Sequence, residues 1–101
     1  MAGKSRSDII ADIEAHIQKG GANFAEWYVG IAASPKSNLF KVHKLRESGD
    51  AWIARRAFDS AQAAEVAEYF VTSRRSKGRY RDAKSGEEYV YAYKMKSHTN
   101  P

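Results

Sequence analysis

Cysteine is absent from the 101 residues. Its absence removes the disulfide scaffold, the thiolate zinc finger, the iron–sulfur centre and the cysteine nucleophile together. No stretch approaches the roughly 20 apolar residues of a membrane-spanning helix. Met1–Ser7 is polar, and Ile9, Ile10, Ile13 and Ile17 beyond it are interspersed with charges, which is not the character of a signal peptide. The chain has no phosphate-binding glycine loop, no HExxH and no GxSxG, and its three histidines are too scattered to form a metal site by spacing. Prolines number two, and 43% hydrophobic with 29% charged residues is the composition of an ordinary globular chain, neither disordered nor fibrous. At this length about two-thirds of the unfolded surface can be buried, which allows one modest core. The expectation is a single domain over 1–101 with no membrane partner and a cytoplasmic location; the oligomeric state stays open.

What is present in excess is positive charge, and it is localised. Residues 1–73 hold nine basic groups (Lys4, Arg6, Lys19, Lys36, Lys41, Lys44, Arg46, Arg55, Arg56) against nine acidic ones, so the whole formal charge of +5 falls on residues 74–96. Arg74, Arg75, Lys77, Arg79, Arg81 and Lys84 crowd into one segment with a single anion, Asp82. A field of one sign attracts a polyanion and makes binding fall with salt. The partner this implies is DNA or RNA, or an acidic protein; a solvated basic loop is the plain alternative.

Ile9, Ile13 and Ile17 recur every four residues, with Ile10 widening the stripe. The spacing predicts a helix over Ser7–Lys19, capped by Ser7, favoured by Asp8 and Asp12 near its positive end and stopped by Gly20-Gly21. His16 lies off the stripe. Trp27–Ala32 alternates and reads as a strand, ended by Ser34-Pro35; Ser37 is then placed to cap a short helix with Leu39, Phe40 and His43. Gly49-Asp50 turns into a second strand, Ala51–Phe58, with Arg55 and Arg56 on opposite faces. Asp59-Ser60 caps an alanine-rich helix, Ala61–Ser73. A basic loop at about 74–86 follows, then a third strand over Glu88–Met95, and a frayed end from Lys96. The order α, β, α, β, α, β makes a layered sandwich, which we take as α+β: a small three-stranded sheet with about three helices, covered on at least one face. Tyr89, Tyr91 and Tyr93 share one face of the last strand. They form either core or a stacking platform for unpaired bases beside the basic loop.

Tyr28-Val29-Gly30 at a strand, a helix carrying Leu39 and His43, and Ala64-Glu65-Val66-Ala67-Glu68 on a later helix together resemble the second half-motif and the following helices of the GIY-YIG nuclease superfamily, over about Trp27–Phe70. The resemblance implies a GIY-YIG-like fold, Tyr28 and His43 as catalytic residues and Glu68 as ligand of one Mg²⁺. The metal would bind a phosphate oxygen, and the tyrosine would orient or deprotonate water. Two departures stand out. The first tyrosine-bearing half-motif is missing ahead of Tyr28, and Asn38 occupies the place of the catalytic arginine, without the cationic grip on phosphate. Arg55 or Arg56 are the arginines available to substitute, and Tyr89, Tyr91 or Tyr93 the tyrosines.

Each of these residues also has a plain structural reading: Tyr28 as a packed strand tyrosine, His43 as a packing residue, Glu68 as a solvent-facing helix residue, Trp27 and Trp52 as core. The reading favoured here is a catalytically silent GIY-YIG-like domain that binds nucleic acid or a protein. Its contacts are Arg55, Arg56, Arg74, Arg75, Lys77, Arg79, Arg81, Lys84 and Tyr91. The alternative is a Mg²⁺-dependent endonuclease of that kind. Size and charge also suit a phage or plasmid accessory protein that inhibits a host nucleic-acid machine.

Overall fold

The computed structural model describes residues 4–19, 23–45, 51–80, 86–96 and 99. The helix stop expected at Gly20-Gly21, the turn at Gly49-Asp50 and the side chains of Arg81, Asp82 and Lys84 lie outside the described residues.

Helix α1 spans Arg6–Lys19, with Ile9, Ile13 and Ile17 fully buried. The cap is Ser5 instead of Ser7: its hydroxyl accepts from the Asp8 amide at 3.3 Å. A 3₁₀ turn, Phe24–Glu26, leads into β1, Trp27–Ala32. Helix α2 starts at Pro35, whose fixed φ suits a first helical position, so Ser37 lies inside the helix and is not its cap. Pro35–Ser37 widens into a π-type turn over Asn38–Val42. Leu45 N–H returns to Leu39 O at 3.0 Å, with Lys44 at φ 65°. Strand β2 is Trp52–Arg56. Helix α3, Ser60–Ser73, has the expected cap, Asp59, accepting from Gln62 N–H at 2.8 Å. It ends with Arg75 at φ 61° and the Ser76 amide bonded to Phe70 O at 3.0 Å.

The sheet has four strands, not three. Inside the expected basic loop, Lys77–Gly78 forms β3, parallel to β1, and Tyr89–Lys94 forms β4. Two residues carry no alternation for a sequence reading to detect. Gly78 has a steric reason: a Cβ there would overlap the Val29 carbonyl oxygen. The order is β2-β4-β1-β3, with β4 antiparallel to both β1 and β2. The fold is α+β, a mixed sheet with three helices among the described residues. At the C-terminal side, Lys96 and Thr99 form a small turn: the Thr99 hydroxyl donates to Lys96 O at 2.8 Å.

Pairing sorts the side chains onto two faces. On the first, Val29, Ala92 and Ile53 form one row and Ile31, Val90 and Arg55 another. α1 and α3 cover this face, and Ile9, Ile13, Ile17, Val66, Ala67 and Phe70 complete its core. Burial of each large side chain there stabilises the fold by about 1.5–3 kcal/mol. On the second, Tyr28, Tyr93 and Trp52 form one row, Gly30, Tyr91 and Ala54 the next, and Ala32, Tyr89 and Arg56 the last. Leu39, Phe40 and Leu45 from the α2 segment pack on the first two of these rows. Trp27 is core, whereas Trp52 is half-buried, edge-on to Phe40 at 5.5 Å.

Candidate functional site

The second face holds a polar knot inside an apolar layer. His43 is 4% exposed and faces two tyrosines. Its Nε2 lies 2.8 Å from the Tyr91 hydroxyl and its Nδ1 3.0 Å from the Tyr93 hydroxyl. A neutral imidazole has one donor and one acceptor nitrogen, so one hydroxyl accepts from the ring while the other donates to it. Tyr28 completes the group, its ring 4.8 Å from His43, 5.4 Å from Tyr93 and 6.2 Å from Tyr91. The glycine of Tyr28-Val29-Gly30 is required here, because a Cβ at Gly30 would sit 2.7 Å from the Tyr91 hydroxyl oxygen.

All three phenols are held above the ordinary tyrosine range. Burial is the main cause for Tyr28, opposed by the Arg79 charge and a hydrogen bond with Tyr91. Burial and then the neighbouring Tyr28 push Tyr91 well up, against a hydrogen bond with Asn38 and the charge of Arg79. Tyr93 is pushed well up by burial, then by Tyr28 and Tyr91. None of these groups is a ready base at neutral pH.

The structure therefore brings Tyr28 and His43 together and adds Tyr91, Tyr93 and Asn38. Tyr91 and Tyr93 are 2% and 0% exposed, so they are core on this face. Tyr91, expected to meet nucleic acid, has its ring covered and its hydroxyl engaged, and cannot stack on a base in this arrangement. Glu68 stands apart: it is exposed on α3, and the sheet lies between that helix and the tyrosines. Among the described residues no group of three or more His, Asp or Glu side chains could hold a metal ion. These residues do not assemble a Mg²⁺ site around Tyr28 and His43, because Glu68 lies across the sheet from them.

The expected cationic contacts are dispersed, and several are paired. Arg55 and Arg56 do occupy opposite faces. Arg55 Nε donates to Asp12 at 3.0 Å, where Lys4 and this guanidinium hold the carboxyl below the usual range. Arg56 donates to Glu88 at 3.1 Å and lies over the Tyr89 ring at 5.9 Å. Arg74 is pinned to Glu14 at 2.7 Å and stacks over Phe24. Arg79 makes a two-pronged contact with Glu87 at 3.0 and 3.1 Å, beside Tyr28 and Tyr91. Arg75 and Lys77 are exposed at the β3 edge, with Lys77 in register with Tyr28.

Sequence reading missed the clamp of both His43 nitrogens between two strand tyrosines and the role of Glu87. The alternation over Tyr89–Lys94 puts three tyrosines on one side, but only the β4–β1 pairing shows that this side meets Tyr28. A separate open groove, lined by Ala33, Ser34, Pro35, Lys36 and Tyr89, lies at the end of the same face. None of the described helices is long and apolar enough to cross a membrane. Comparison with protein-family models, curated proteins and solved structures returns no match.

Proposed function

We propose that this chain is a GIY-YIG-like domain that binds nucleic acid and does not cleave it. The GIY-YIG-like part is supported by the antiparallel placement of Tyr28-Val29-Gly30 beside the Tyr91 and Tyr93 strand, with His43 against both. β4 supplies the tyrosines that the sequence lacks ahead of Tyr28.

One observation carries the loss of chemistry. The histidine and the two deepest phenols are committed to one another inside the core, with Asn38 where an arginine is expected and Glu68 across the sheet. Hydrolysis of a phosphodiester needs a group that activates water and a cation or metal for the developing charge. His43, Tyr91 and Tyr93 are sealed, and the half-buried Tyr28 is kept protonated, its phenol raised by burial. Arg79, the cation that acts on both Tyr28 and Tyr91, is held by Glu87.

Binding is supported by the net charge of +5 on residues 74–96 and by Arg75 and Lys77 open to solvent beside β1. A cytoplasmic location belongs to this reading. The test is anisotropy of fluorescent single- and double-stranded DNA and RNA across a salt series. Affinity is expected to fall steeply with salt. Arg75→Gln with Lys77→Gln should weaken binding and flatten the slope by about 1 for each phosphate no longer neutralised. Unchanged affinity in that double variant would contradict the proposal.

A further inference from the structure

Three strand tyrosines of β4 share the second face, and of these Tyr89 is the least buried. Leu39, Phe40 and Leu45 pack over Tyr93 and Tyr91, with Ala32 buried beside them, whereas Tyr89 and Arg56 lie at the end of the sheet, where β1 has just ended. Tyr89 is half-buried, and its ring forms one wall of the groove made with Ala33, Ser34, Pro35 and Lys36. The small residues Ala33 and Ser34 keep that groove open, and Pro35 adds a flat apolar edge.

Cations flank the groove. Lys36 lies in its rim, and the Arg56 guanidinium, half exposed, lies 5.9 Å over the Tyr89 ring. Glu88 holds Arg56 from the side at 3.1 Å. Two positions past Arg56, Phe58 is 51% exposed, the large hydrophobic residue left open among the described residues. An aromatic wall with cations at its margin matches a planar base joined to phosphates. It matches a duplex poorly, because paired bases present edges and not faces.

We infer that this groove takes an unpaired base of a single strand, stacked on Tyr89, with Arg56 and Lys36 on the adjoining phosphates. The inference rests on the nucleic-acid reading above and names the strandedness and the stacking residue. Glu88 competes with phosphate for Arg56 and so restrains the affinity of the groove.

The experiment compares a short fluorescent oligothymidylate with an abasic strand of equal length and charge, on the full chain. Wild type is expected to bind the base-bearing strand about 5-fold tighter or more. Tyr89→Leu should erase that preference, Tyr89→Phe should keep it, and Glu88→Gln should tighten binding of both strands. Circular dichroism of Tyr89→Leu checks that the fold persists, and Tyr89→Phe carries the ring through unchanged. Equal binding of the two strands by wild type, or a preference that survives in Tyr89→Leu, overturns the inference while leaving nucleic-acid binding intact. No binding of either strand overturns both and leaves the groove to a protein partner.

Discussion

The Tyr91 hydroxyl occupies the space that a side chain at Gly30 would need: a Cβ there would lie 2.7 Å from the hydroxyl oxygen and 2.8 Å from the ring carbon that bears it. That close approach lets Tyr91 cross β1 and reach His43 at 2.8 Å. Gly30→Ala should therefore move the ring and break the hydrogen bond. The expected loss is about 1–3 kcal/mol, as for overpacking in a tight core, read as a lower urea midpoint. An unchanged midpoint would show that the ring can shift freely.

His43 joins two strand tyrosines that are closed off from solvent. Replacing it in His43→Leu leaves the Tyr93 hydroxyl without this partner, at about 1–3 kcal/mol for a buried group, while Tyr91 keeps its hydrogen bonds with Asn38 and Tyr28. Adding Tyr93→Phe to His43→Leu should recover part of that loss, since the orphaned hydroxyl then disappears as well. If the double variant is no more stable than His43→Leu alone, the hydrogen bond to Tyr93 is not what holds the cluster.

Alkali should reveal the same cluster. The folded-state values of Tyr28, Tyr91 and Tyr93 are raised, with burial as the leading cause. A raised acid favours its neutral form in the fold. The stabilisation is thus fully present below the unfolded tyrosine value of about 10 and is lost as pH climbs through the higher folded values. Phenolate absorbance should show Tyr28, Tyr91 and Tyr93 ionising only together with unfolding. In single Tyr→Phe variants, loss of a phenolate signal that develops at about pH 10 with the far-ultraviolet spectrum intact would contradict this.

Arg75 separates stability from binding. Its φ of 61° suits glycine better than any β-carbon-bearing residue. Arg75→Gly should raise stability by about 0.5–1 kcal/mol and lower nucleic-acid affinity by removing an exposed charge. A gain in melting temperature without any loss of affinity would take Arg75 out of the interface.

The elements with a strong period were legible. The Ile9, Ile13 and Ile17 stripe, the Asp59 cap and the alternation of Trp27–Ala32 and Tyr89–Lys94 state their own local structure. β3 was not, because Lys77-Gly78 is a strand only through its contact with β1. The candidate site was half legible: Tyr28 and His43 lie ring against ring, but Tyr91 is covered by Leu39, Phe40 and Leu45, and Glu68 sits on the far helix. Alternation tells which residues share a face. It does not tell which strand is the neighbour or what covers it, and those two facts decided Tyr91 and Glu68. Arg56, Arg74 and Arg79 read as free cations in sequence because Glu88, Glu14 and Glu87 become their partners only in the fold.

The central claim is binding without cleavage, and one gel tests it. Labelled single-stranded DNA and RNA are incubated with the protein and Mg²⁺, one aliquot is read for salt-sensitive binding, and another is run under denaturing conditions. The account predicts bound but intact strands, with Glu68→Ala indistinguishable from wild type in binding, in strand integrity and, within about 0.5 kcal/mol, in stability. Cleavage that EDTA abolishes and Glu68→Ala removes would contradict it and make this protein a metal-dependent nuclease.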